Sequence, residues 1–361
     1  MDQAATKPTQ IFRIAAAGHA PRATAAVVAV ILLALGLLPA VAGRNLIQDL
    51  IFLFYMLALA QCWNLLAGYA GLISVGQQAF VGLGGYLLFA LTLIGGINPL
   101  LAIPLAGIVS ALFALPTALI VFRLRGAYFA IGTWVVAEVY RLVFAQVKPL
   151  GGGTGTSLTP SVTSSVPGIE WVKTLLDLRT PAARDVISYW TALALMAGTL
   201  AFVYVILRSR RGLALGAIRD HEGAASGLGV DIYRIKLAIY VATAAMTGMI
   251  GALIYLQKAR ISPDAAFSVL DWTAYVIFIT VIGGIGTMEG PVIGAVIFYL
   301  VQRYLADFGA SYLILLGTLG ILVMLFAPRG LWGLLAERYG LALFPTRRRL
   351  IIEDGKRDLS P

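Results

Sequence analysis

The sequence predicts an all-α polytopic membrane protein of about ten transmembrane helices, one or two of them re-entrant or broken. Three observations carry that expectation. Of 361 residues, 60% are hydrophobic and only 12% charged, with a mean hydropathy of +0.88. Soluble domains carry about 25% charged residues and have no interior large enough for this much apolar chain. Residues 50–122 hold no charged side chain, 73 in a row. As one helix that run would be roughly 110 Å long at about 1.5 Å per residue, more than three crossings of a hydrocarbon core about 30 Å thick. Finally, Lys and Arg divide unevenly between alternate loops.

Backbone groups at bilayer depth need internal partners, so each apolar run is expected to be helical. The first span covers 23–42. Its apolar core of about 20 residues exceeds the roughly 7–15 of a cleavable signal peptide, so Ala40-Val41-Ala42, which resembles a cleavage site, is expected to stay attached. Spans 47–67, 71–94 and 99–122 share the charge-free run, with turns at Gly68-Tyr69-Ala70-Gly71 and Gly95-Gly96-Ile97-Asn98-Pro99. Spans 127–147, 186–207 and 235–257 follow. The eighth and ninth, 272–287 and 290–305, are short and Gly-broken, so a full crossing and a re-entrant hairpin both stay open for them. The tenth is 312–327.

With both termini cytoplasmic, the inside segments hold 18 Lys and Arg, the outside segments 8, and Arg141 lies within a span. This is the bias expected of cytoplasmic loops, and it accounts for the net charge of +10 without nucleic acid. The expected organisation is a cytoplasmic tail (1–22), a membrane domain (23–335) and a second cytoplasmic tail (336–361), loosely ordered. The longest external loop, 148–185, carries Gly151-Gly152-Gly153-Thr154-Gly155 with Pro160, Pro167 and Pro181, and little regular structure is expected there.

Enzyme chemistry has no foothold. The single cysteine, Cys62, and the two distant histidines, His19 and His221, argue against a disulfide framework and a metal centre. G-x-x-x-x-G-K-[ST], HExxH and GxSxG are missing; the one Gly-Lys, Gly355-Lys356, precedes an Arg. No cofactor, metal or catalytic residue is expected. The candidates for function are polar residues inside spans. Glu138 and Arg141, three apart, share a helix face and can pair; a lone charge at mid-span costs about 2.5–3.5 kcal/mol. Ser74, Gln77 and Gln78 sit among Gly71, Gly76, Gly82, Gly84 and Gly85. Gly-rich, broken helices point to a transport path, and 283–294 is a second such segment. For both groups, lining a path and packing neighbouring helices are alternatives.

The cytoplasmic segment 208–236 is too long for a tight turn, and it clusters Gly223, Ala224, Ala225, Ser226, Gly227 and Gly229. Small residues expose backbone to a close-packing partner, although a topological connector would read the same way. The string AIRDHEGAASGLGV from Ala217 resembles the coupling loop of the branched-chain amino acid ABC transporter permease family, LivM-type, through Ala217-Ile218-Arg219, Glu222, Ala224, Ala225 and Gly229. GLISVGQQAFVGLGGY (71–86), RLRGAYFAIGTWVVAEVYRLV (123–143), GGTG (152–155), GGIGTMEGPVIGA (283–295) and APRGLWG (327–333) resemble further motifs of that family in the same order. The resemblance spans about 45–335.

It implies a permease subunit of an importer in the bacterial cytoplasmic (inner) membrane. It also implies a second permease forming a heterodimer, two ATP-binding cassette ATPases that hydrolyse the ATP, an external solute-binding protein and surrounding lipid. The implied solute is small and polar, branched-chain amino acids by default. Arg219, Glu222, Ala224, Ala225 and Gly229 would then form the ATPase-coupling loop, and Ser74, Gln77, Gln78, Glu138 and Arg141 the candidate path. A proton- or ion-coupled secondary transporter using Glu138 and Glu289 is the rival reading, and a pore-less structural subunit a third.

Overall fold

The computed structural model describes residues 11–15, 20–305, 308–339, 344 and 349–353. His19 and most of the expected tails, 1–22 and 336–361, lie outside them. Of the tails, β1 (Ile11–Ala15) and β4 (Arg349–Glu353) form an antiparallel pair.

The apolar runs fold as helices in the expected order. They are α1 (Ala20–Leu37), α2 (Arg44–Asn64), α3 (Gln77–Phe89), α4 (Pro99–Val121) and α5 (Ala127–Ala145). The external stretch holds α6 (Pro160–Ser164) and α7 (Ile169–Leu176), and α8 (Thr180–Arg208) returns through the bundle. Next come α9 (Arg210–Asp220), α10 (Glu222–Gly227), α11 (Ile232–Lys258), α12 (Pro263–Ala266) and α13 (Tyr275–Gly283). The chain ends with α14 (Gly290–Leu305), α15 (Ala310–Phe326) and α16 (Gly330–Tyr339).

Among the described residues, seven helices are long and apolar enough to cross a membrane, and α15 with α16, bent by 40°, forms an eighth candidate. Ala26–Ala40 and Gly290–Leu305 are shorter apolar helices. With the bent pair taken as one, these apolar stretches fall one to each of the ten expected segments.

Three boundaries differ from expectation. The eighth span runs over Pro263–Gly283, starting nine residues earlier than the hydropathy suggested, so it is neither short nor broken by the later glycines. The third begins at Gln77 instead of 71. A π-helical turn, Leu65–Tyr69, extends α2, and residues 70–76 are non-helical. The 148–185 stretch is more regular than expected, because Pro160 and Pro181 stand in the first turn of α6 and α8. There the missing N–H is harmless and the fixed φ favours the helix.

Two layers of packing set the frame. α2 is 83% buried along its apolar window, and α5 only 17%. α11 runs along α3 and α4, while α2 packs against α8, α13 and α14. Bare backbone makes the α3–α11 contact. A methyl at Gly84 would lie 2.7 Å from the carbonyl carbon of Gly248, and one at Gly251 would lie 2.8 Å from that of Val81. Small residues allow such approach where lipid offers no hydrophobic drive to association.

At one end of the bundle β2 (Thr156–Ser157) pairs antiparallel with β3 (Arg260–Ile261), and Leu158 N donates to Ala259 O at 2.8 Å. The opposite end carries α9 and α10, residues 70–76, and the linker 284–289 between α13 and α14.

Candidate functional site

At the α9–α10 end, residues 208–236 form two short helices separated by His221 alone. The Ser209 hydroxyl accepts from Arg211 N and starts α9. Nδ1 of His221 accepts from Ala224 N at 3.1 Å and starts α10, giving an orphan helix N–H a partner. Gly229, at φ +81°, takes the left-handed conformation just past α10, where glycine avoids the Cβ penalty. Leu215, Ile218 and Ala225 face inward.

The small residues therefore do not form one surface. Helical periodicity buries Ala225, which is 1% exposed, and turns Gly223, Ala224 and Gly227 outward beside Leu228, which is 82% exposed. The Glu222 carboxylate forms an ion pair with Lys236, so within the chain it fastens α10 to the start of α11. Arg219 is exposed, yet its guanidinium lies over the linker: a methyl at Gly286 would lie 2.5 Å from its Nη1 and 3.2 Å from Gly68 O.

The polar residues of the third span divide. Ser74 precedes α3 in the non-helical segment, so its expected helical register with Gln77 and Gln78 does not exist. Its carbonyl accepts from Trp63 Nε1 at 2.8 Å, and its hydroxyl from Gly76 N at 3.2 Å. Gln77 Nε2 donates to Leu59 O at 2.9 Å. Gln78 Oε1 accepts from the Thr273 hydroxyl, whose oxygen takes the Gln78 N–H at 3.3 Å.

Both amides are buried, and Gln77 Oε1 and Gln78 Nε2 have no partner among the described residues. Such an atom forgoes about 1–3 kcal/mol and is free to meet water or solute. A cavity lined by Cys62, Ser74, Gln77, Thr243 and Thr247 leaves room beside Gln77 for about one water.

Gln61 and Asn64, one turn apart on α2, were not singled out by the sequence reading. Gln61 Nε2 donates to Met288 O at 2.6 Å, and Asn64 Nδ2 to Thr287 O at 2.7 Å. Asn64 Oδ1 accepts from Gly286 N at 2.8 Å. Two amides in an apolar run, three residues apart, were the available signal.

Glu138 and Arg141 do pair. Arg141 Nε donates to Oε1 and Oε2 of Glu138 at 2.8 and 3.0 Å, and its Nη1 reaches Asp264 Oδ1 at 2.7 Å. The buried side of α5 is Phe129, Thr133 and Ala137; Glu138 projects the other way, among exposed Ile131, Val135 and Leu142. It lies seven residues, about 10 Å, from the Ala145 end of the helix. A carboxylate at that depth rarely faces lipid and is expected against protein or a water-filled path.

A family model described as the permease component of a branched-chain amino acid transport system matches residues 45–327. The chain is 28% identical to the high-affinity branched-chain amino acid transport system permease protein LivM of Escherichia coli (strain K12) over 333 residues, covering 82% of this chain and 77% of that one. Its similarity to the LivM protein of Salmonella typhimurium is 29% with the same coverage. A probable LivM permease of Methanocaldococcus jannaschii is 24% identical over 225 residues, covering 58% of this chain and 61% of its own. No solved structure matches.

Proposed function

The chain belongs to the branched-chain amino acid transport permease family, and from that premise we propose that it is the membrane-spanning subunit of an ABC importer. It passes a small polar solute, branched-chain amino acids, across the bacterial cytoplasmic (inner) membrane. A second permease completes the pore, two ATPase subunits hydrolyse the ATP, and an external binding protein delivers the solute. Both termini, α9 and α10 face the cytoplasm; the β2–β3 end faces out.

The observation that carries this reading is the α9–α10 unit. It is a capped pair of short helices presenting Gly223, Ala224, Gly227 and Leu228 outward, on the side where Lys and Arg concentrate. A close-fitting groove on an ATPase would take that face. Support for a path comes from α5: the Glu138–Arg141 pair on its outward side needs a second membrane subunit, or water, in front of it. The carboxylates that a proton-coupled carrier would use are both engaged. Glu138 holds Arg141, and Glu289 accepts from Phe344 N at 2.8 Å.

The deciding experiment is co-purification from a native host, followed by reconstitution in proteoliposomes with the ATPases and binding protein. ATP-dependent uptake of leucine, isoleucine or valine is expected. Uptake driven by a proton gradient without ATP would overturn the proposal.

A further inference from the structure

An importer of this kind must carry a push from its ATPase-facing helices into the membrane, and side chains at the α9–α10 end show where that push arrives. Two non-helical, glycine-punctuated segments lie there. One is residues 70–76, with Gly71 at φ +69°; the other is the linker 284–289, with Gly284 at φ +131° and Gly286 at φ +75°. Irregular backbone at such a place is tolerated only where protein or a water-filled cavity satisfies it.

Here the satisfaction is specific. Asn64 holds Gly286 N and Thr287 O, and Gln61 holds Met288 O. The linker also comes close to the π-helical turn of α2, with the Asn64 side-chain oxygen lodged beside the contact. A methyl at Gly68 would lie 2.7 Å from Gly286 N and 3.0 Å from Gly286 Cα.

Onto this contact comes Arg219. It occupies the last turn of α9, and α9 packs against the π-helical turn. Its guanidinium rests beside Gly286, near the C-terminal end of the extended α2, where the helix dipole favours a cation. On the other side α10 follows α9 after one residue, so a shift of the Ala224–Leu228 face moves Arg219 directly.

We infer that Arg219 is the positioning residue that transmits ATPase movement to the contact between the Gly68 turn and the linker 284–289, whose separation opens the cytoplasmic end of the path. This rests on the importer reading above. Arg219 touches no nucleotide and no solute. Its side chain, exposed but laid against the linker at Gly286, acts as a strut between the docking face and the Gly68–Gly286 contact, and Asn64 clamps the linker in place. Gly286 stands at φ +75°, a conformation that favours glycine, and a side chain there would displace the guanidinium.

The test uses the full complex in proteoliposomes, with wild-type, Arg219→Ala and Arg219→Lys permease. Three readouts are taken: ATPase subunits retained, ATP hydrolysed per solute imported, and hydrogen exchange of 284–289 in the purified permease. Arg219→Ala is expected to retain the ATPases and to raise ATP used per solute by about fivefold or more. It should also speed exchange at 284–289. Arg219→Lys, which keeps the cation, should recover most of the coupling.

Loss of ATPase retention in both variants would make Arg219 a docking residue and overturn the strut. Unchanged ATP per solute in Arg219→Ala, with a wild-type complex that couples normally, would also overturn it and leave the importer reading standing. A wild-type permease that recruits no ATPase would remove the importer reading, and the strut with it.

Discussion

Asn64 and Gly286 stand 222 positions apart and are joined by a 2.8 Å hydrogen bond from the Gly286 N–H to the Asn64 side-chain oxygen. The same amide donates to Thr287 O, so one side chain on α2 holds both backbone polarities of the linker between α13 and α14. Replacing it with leucine keeps the bulk and removes both bonds. Asn64→Leu should lower stability in detergent by about 1–3 kcal/mol, the cost of stranding buried polar groups. An unfolding midpoint equal to wild type would show that the linker is held by packing alone.

The α10 face should separate cleanly into outward and inward positions. Ala224→Trp and Leu228→Asp alter only exposed side chains. Overpacking or charging a fitted contact costs about 1–3 kcal/mol, so ATPase retention should fall about tenfold with permease yield unchanged. Ala225→Trp strikes a buried position and should reduce permease yield as well. Equal ATPase retention in all three variants would make α9–α10 a mere connector.

The charged group on α5 is expected to act in transport more than in folding, because it faces away from the chain's own core. Glu138→Gln leaves Arg141 with Asp264, and Arg141→Gln leaves two carboxylates without a cation. Uptake should fall in both, more steeply in Arg141→Gln, with subunit assembly intact. Assembly lost in parallel with uptake would instead make the pair an interhelical fastener.

Orientation can be read from two glycines with open space around them, Gly153 and Gly216. A cysteine at 153 should react with an impermeant thiol reagent added outside intact cells, and one at 216 only after lysis. Cys62 is buried and should stay silent in both. The reverse pattern would put α9 and α10 outside and end the coupling proposal.

The existence and order of the spans were legible because exclusion from water is written locally, in each stretch of apolar residues. Their ends were less so. Residues 263–271 contain Asp264, Ser268 and Asp271 and look like a loop, yet they begin the eighth span, Pro263 starting a helical turn and Asp264 meeting Arg141. The Glu138–Arg141 pair was visible from its spacing. Its third member was not, since Asp264 is 123 residues away. Gln61 and Asn64 bind backbone, which leaves no mark in the sequence of the segment that is bound. Ala225 was grouped with its neighbours by composition, and only the helical turn separates it from them.

The bare-backbone seam between α3 and α11 also bears on how the chain is made. α3 enters the bilayer with Gln77, Gln78 and three glycines on a short helix, while the surface that fits it at Gly248 and Gly251 is translated some 160 residues later. Until α11 arrives, α3 faces lipid with a partner-shaped groove, and Gln78 waits longer still, for Thr273. A nascent chain cut short before residue 232 therefore displays an unfinished surface, which gives membrane quality control a chemical mark by which to tell an incomplete permease from a finished one.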